Sequence, residues 1–169
     1  AMWNPPPSGC SPAVLLRQGD CHHRLGETAG AVSAYRKIWT QHASSPQAGE
    51  AAFRLQRFRD SGVALPDLTA QDWWLRARTL FDAGQYAPAA AALEEVLGFS
   101  QGGLDREATR LKLGIARVRL KQYQEARAAL AELVRIRTGP ASQEAVVWLA
   151  RVLLRQNQDD QILALAREV

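Results

Sequence analysis

The sequence predicts an all-α fold of helix pairs repeated in register, and three observations carry that expectation. A small residue, an alanine twelve positions on and a large apolar residue four further on recur as Gly19–Ala31–Tyr35, Ala77–Ala89–Leu93 and Gly114–Ala126–Leu130. A degraded fourth copy runs from Ala150 through Ile162 and Ala166. The spacing is also steady: Ala77 to Gly114 is 37 residues and Gly114 to Ala150 is 36, whereas Gly19 to Ala77 is 58 because an extra helix and connector are inserted there. Finally, the apolar residues recur at helical spacing, and no segment reads convincingly as a strand. Small residues at the first two landmark positions let the helices of a pair approach closely. The large residue is then expected to fill the gap to the next repeat.

Each element has its own start and stop signals. Residues 1–11, with Pro5, Pro6, Pro7 and Gly9, read as an extended lead-in. Ser11 is a suitable N-cap and Pro12 a suitable first-turn residue for a helix to about Arg24, which breaks near Gly26. Its partner spans about 28–41 and stops near Ser44-Ser45-Pro46. An unpaired helix over about 47–59 carries Ala48, Ala51, Ala52, Leu55 and Phe58 at helical spacing. Ser61 to Leu68, holding Gly62 and Pro66, is a connector. Thr69 and Asp72 resemble a capping box, opening a helix over 70–82. Gly84-Gln85-Tyr86 turns the chain into a partner reaching Leu97, with Pro88 in its first turn. Gly98 and Gly102-Gly103 mark the next break, before a pair at about 105–120 and 124–136. Thr138-Gly139-Pro140 breaks the chain again, and helices over about 142–155 and 159–168 complete it.

A two-helix unit with these landmarks follows the tetratricopeptide pattern, whose period is about 34 residues. The expected architecture is a tetratricopeptide-like α–α superhelix of about nine helices, forming one domain over 12–169 with helix pairs at about 12–41, 70–97, 105–136 and 142–168. Such repeats bind or brace rather than catalyse.

Composition narrows the function classes. Apolar residues make up 47% of the 169, enough for a continuous core. The formal charge of +4 is modest, and its 21 basic residues include only three lysines, Lys37, Lys112 and Lys121. A nucleic-acid surface would cluster its charge, but here acidic residues accompany the arginines on most helices, so no nucleic-acid partner is expected. No apolar run approaches the roughly 20 residues that cross a bilayer. The opening Ala1-Met2 is not a signal peptide and says little about export. Cys10 and Cys21 permit one disulfide or two free thiols. Pro7 and the lack of a preceding apolar stretch weaken a lipoprotein reading of Ser8-Gly9-Cys10. Cys21-His22-His23 lacks a second ligand pair at suitable spacing, so neither metal nor cofactor is expected.

The insert between repeats carries a family resemblance. Ala34-Tyr35-Arg36-Lys37-Ile38-Trp39, Ser45-Pro46-Gln47-Ala48, Ala51-Ala52-Phe53-Arg54-Leu55, Leu65-Pro66-Asp67-Leu68-Thr69 and Arg76-Ala77-Arg78 through Ala83-Gly84-Gln85-Tyr86 follow one another in an order that resembles the N-terminal superhelical region of soluble lytic murein transglycosylases from Gram-negative bacteria. The resemblance covers roughly residues 12–169 and is most specific at the insert. It implies a periplasmic scaffold beside a lysozyme-like domain that cleaves peptidoglycan strands. That family's catalytic Glu-Ser pair and Gly-Leu-Met-Gln segment have no counterpart here, where the only methionine is Met2. The expectation is therefore a chain without the cleavage domain. Glu94-Glu95 does not replace it, because helix neighbours point about 100° apart.

First helices of the pairs supply the concave wall of a tetratricopeptide stack. By register the candidate binding residues are Arg24, Trp74, Arg78, Phe81, Arg119, Arg151 and Arg155, with Leu111 and Ile115 on the same wall. Arginines there suit carboxylates of a peptide or a peptidoglycan stem, and Trp74 and Phe81 suit a sugar face or an apolar side chain. The bland alternative has the aromatics filling core and the arginines keeping the surface soluble. The leading expectation is a non-catalytic scaffold of a lytic-transglycosylase-like cell-envelope protein, positioning a covalently linked catalytic domain or binding peptidoglycan or protein. The rival is a stand-alone tetratricopeptide adaptor for a protein partner. An enzyme in its own right finds no nucleophile–base constellation to support it.

Overall fold

The computed structural model of the protein describes residues 10–100, 104–136 and 139–168. Most of the lead-in, Gly102-Gly103 and Thr138 lie outside the described residues. Capping chemistry sets several helix starts. The Val14 amide donates to Ser11 Oγ at 3.3 Å, opening α1 (Pro12–Arg24) with proline in its first turn. After α2 (Thr28–Gln41) and α3 (Gln47–Asp60), Thr69 and Asp72 close a reciprocal capping box at the head of α4 (Ala70–Asp82). Then come α5 (Tyr86–Gly98) and α6 (Arg106–Arg119), the latter capped by Asp105, whose Oδ1 accepts from the Ala108 amide at 3.0 Å. The series ends with α7 (Tyr123–Ile136), α8 (Pro140–Arg155) and α9 (Asp159–Glu168). Helix α8 starts two residues earlier than the sequence suggests, because Pro140 itself occupies the first turn after Gly139 at φ 90°. No strand occurs among the described residues.

The described residues fall into two compact units, one ending at Asp67 and one beginning at Leu68. The division falls where α3 has no pair-mate and residues 63–69 run without helix. In the first unit α3 packs against both α1 and α2. Its core gathers Leu15, Val32, Tyr35, Ile38, Leu55 and Phe58. Arg36 donates to the carbonyls of Pro66 and Asp67, tying the end of the connector to α2. In the second unit each helix packs on the next in chain order, and α6 also meets α8. One core cluster, with Ala77, Leu93, Leu113 and Ala116, joins α4 to α6. The other, with Leu130, Leu133, Leu149 and Val152, joins α6 to α9.

The landmark residues are where the paired helices touch. Ala31, Ala77, Ala89, Leu93, Ala126 and Leu130 have no exposed surface, and Tyr35 has almost none. A Cβ built on Gly114 would lie 2.7 Å from Leu130 Cδ2, and one on Gly19 would lie 2.4 Å from Tyr35 Cε1. The large residue thus seats on the small residue of its own pair, and does not only bridge to the next repeat as the sequence reading had it. The helices need that seat, since a side chain at either glycine would occupy volume the ring or isobutyl group already fills. The fourth copy is looser: Ala150 and Ile162 are only half-buried and Ala166 is exposed.

The turn inside each pair also repeats. Seven residues after each small landmark stands a left-handed residue: Gly26 (φ 76°), Gly84 (φ 73°), Lys121 (φ 62°) and Asn157 (φ 54°). In every case its amide and the next one bond back to carbonyls three and five residues earlier, as in Lys121 to Val118 and Gln122 to Arg117. This closes orphan carbonyls at the first helix's end. The backbone repeat persists through the fourth pair, where the side-chain pattern has decayed.

Cys10 and Cys21 are both exposed free thiols. Cys10 precedes α1 and Cys21 lies in its last turn. No described helix is long and apolar enough to cross a membrane.

Chemical denaturation tests the seat and the turn. Gly114→Ala is expected to lower stability by about 1–2 kcal/mol, overpacking against Leu130 outweighing alanine's better helix propensity. Gly49→Ala in α3, with nothing within 4 Å of the added carbon, is expected to raise stability by up to about 1 kcal/mol. Lys121→Gly, which relieves a left-handed side chain, is expected to stabilise by about 1 kcal/mol.

Candidate functional site

In the second unit, side chains from four helices assemble an alternating run of rings and cations. Lys112 Nζ of α6 sits 4.6 Å from the centroid of Phe81, near the end of α4. Phe81 meets Tyr86, the first residue of α5, edge to face at 5.5 Å. One turn-pair further along α6, the Arg119 guanidinium lies 6.0 Å from Tyr86 and 5.5 Å from Trp148 of α8. Arg151, three residues on from Trp148, approaches the same indole at 4.8 Å. Lys112 and Arg119 share a face of α6 because seven residues make nearly two turns.

The electrostatics of this run are unbalanced. Arg110 and Arg117 on the same helix are answered by Glu132 and Glu94. Arg119 and Arg151 are exposed and form no ion pair among the described residues. The nearby Glu144 carboxylate accepts from Trp148 Nε1 at 3.2 Å, which orients the indole. Each guanidinium packed on a ring gains about 0.5–1 kcal/mol at an exposed site, and its N–H edge stays available to an incoming acceptor. Two cations held beside one indole have the geometry to receive a carboxylate.

The first unit holds a different arrangement. Tyr35 Oη donates to Asp20 Oδ1 at 2.7 Å, and Arg54 Nε donates to the same oxygen at 2.7 Å. Arg54 also reaches Asp20 Oδ2 at 3.3 Å and grips Glu50 one turn back. Burial pushes the Asp20 carboxyl pKa up, but the bonds from Tyr35 and Arg54 and the charges of Arg54 and Arg24 outweigh it and hold it below the usual 3.8. Burial and then the Asp20 bond drive the Tyr35 hydroxyl far above its ordinary range, so it stays protonated. This network floors a cavity of about 590 Å³ between α1, α2 and α3.

The sequence-derived residues distribute over both units. Phe81, Arg119 and Arg151 come together in the run of rings and cations. Arg24 belongs to the first unit and lines its cavity. Arg78 is exposed beside Asp82, 3.7 Å away, and Arg155 is exposed near the end of α8. Trp74 is half-buried against the core joining α4 to α6. Leu111 and Ile115, expected on the open wall, are buried at 8% exposure because their face of α6 packs toward α7 and α8. Lys112, Tyr86 and Trp148 escaped the reading as binding residues. Lys112 and Trp148 each stand two positions before a small landmark, a shared register that was a usable signal.

Comparison with known proteins agrees with the helix-pair fold. Residues 13–45 and residues 111–168 each match a sequence model described as the tetratricopeptide repeat. The fold is tetratricopeptide-like. Two crystal structures of MamA are similar to this tetratricopeptide-like chain. One is 15% identical, with a TM-score of 0.51, over 93% of this chain and 88% of that one. The other is 17% identical, with a TM-score of 0.52, over 89% and 91%. At such identities the likeness speaks of the fold alone. No curated protein matches the sequence.

The Asp20 cluster makes the tetratricopeptide-like first unit acid-sensitive. Its folded pKa is depressed, so the stabilisation is present above the unfolded value and is lost as pH falls through the folded one. Asp20→Asn is expected to cost about 1 kcal/mol near neutrality, discounted for partial exposure. The same variant should flatten the dependence of the unfolding midpoint on pH below 3.8, followed by circular dichroism.

Proposed function

We propose that this chain is a non-catalytic tetratricopeptide adaptor that binds a protein segment, with the ring-and-cation run of the second unit as its docking surface. The observation that carries the reading is the pair Arg119 and Arg151, held beside Trp148 and in no ion pair among the described residues. The segment it suits alternates carboxylates with apolar or aromatic side chains: the carboxylates meet the guanidinium edges and the apolar groups meet Trp148, Tyr86 and Phe81. The tetratricopeptide matches support protein or peptide partners in general.

A second reading places the chain as the scaffold of a lytic-transglycosylase-like protein in the periplasm, positioning a catalytic domain or holding peptidoglycan. It rests on the likeness of the insert's sequence runs, from Ala34 through Tyr86, to that family's superhelical region. In that setting the same arginines would meet the carboxylates of peptidoglycan stems.

Fluorescence anisotropy with a labelled peptide alternating Glu with Leu or Phe separates the outcomes. Binding is expected to saturate, to weaken as salt rises, and to fall on the order of tenfold or more in Arg119→Glu or Arg151→Glu. Trp148→Ala should weaken it as well. Affinity that is unchanged by both charge reversals overturns the docking surface. Co-sedimentation with purified sacculi, lost in the same variants, would instead favour the scaffold reading.

A further inference from the structure

We propose that the cavity of the first unit is a second binding site, for a carboxylate carried on an apolar or aromatic body. Its volume, about 590 Å³, lies within the range of small-ligand pockets. Part of its wall is apolar: Phe58 and Val63 line it, and Phe53 lines it while remaining 59% exposed. A large ring left that open on a cavity wall is surface available to a ligand. The floor, by contrast, is already satisfied. Tyr35 and Arg54 consume the Asp20 carboxylate, and Arg54 also holds Glu50, so neither acid is free to recruit a cation.

What remains to set the sign of the ligand is Arg24 and Arg57. Both line the cavity and both are exposed. Neither forms an ion pair among the described residues. Three arginines against two carboxylates leave the lining at net +1, with His23 stacked edge to face on Phe58 at 5.0 Å. An apolar wall beside uncommitted guanidiniums fits one carboxylate and one hydrophobic group on the same molecule. Two sources supply that chemistry: a free small acid, or the terminal residue of a polypeptide with its α-carboxylate.

The site is independent of the docking surface in the second unit, and the test keeps the two apart. Titrations of the full chain, followed by calorimetry and ligand-observed NMR, would use 3-phenylpropionate, its neutral amide, and an acetylated tetrapeptide ending in phenylalanine with a free or amidated terminus. Saturable binding is expected for the acid and not for the amide. Arg57→Ala and Phe53→Ala are each expected to weaken it roughly tenfold or more, with unchanged melting since both side chains are exposed. Arg119→Glu should leave it intact. Tighter binding of the free-terminus peptide assigns the polypeptide source, and binding of the small acid alone assigns a metabolite. Failure of both acids to saturate, equal binding of acid and amide, or indifference to Arg57→Ala overturns the proposal.

Discussion

Close approach of two helices at a glycine or alanine is the constraint on which the first three pairs depend. Tyr35 lies over Gly19 and Leu130 over Gly114 at distances that leave no room for even a methyl group. Ala77 and Leu93 do the same work with one carbon more, and both are fully buried. Once that contact fixes the separation of the helices, the rest follows locally. The turn between them must reverse within a few residues, and the second helix must present its apolar stripe to the helix after it. Polar surface is then confined to faces that no neighbour covers. The ring-and-cation run occupies such faces in the second unit, while the cavity of the first unit opens between its three helices.

The two sites also solve the problem of holding arginine in different ways. Arg54 is fixed by carboxylates on both sides, so its charge is spent on structure. Arg119 and Arg151 are fixed by aromatic faces, which orient a guanidinium without neutralising it. A stacked arginine keeps both its charge and its hydrogen-bonding edge.

Much of this was legible in the sequence because it is local. Ser11, Pro12, Thr69 and Asp72 announce helix starts through bonds spanning three residues, and the landmark spacing announces the pairs. The two sites are not local. Trp148 meets Arg119 across 29 positions of sequence, and the rotation of α6 decides that Lys112 reaches Phe81 while Leu111 beside it turns inward. A register count places a residue on a helix but does not say which neighbour its face will meet. The first-unit cavity depends on α3, which has no pair-mate, so the repeat pattern offered no template for it.

The left-handed turn residue has a consequence for how such chains change over time. Glycine, lysine and asparagine all serve at the position seven after the small landmark, and the backbone takes the same path in each case. The turn therefore asks for one dihedral, which glycine meets at least cost and which lysine and asparagine also adopt here. A helix pair closed this way is an exchangeable part. Its interior can drift as far as the fourth pair has, while the turn keeps the same hydrogen-bonded path.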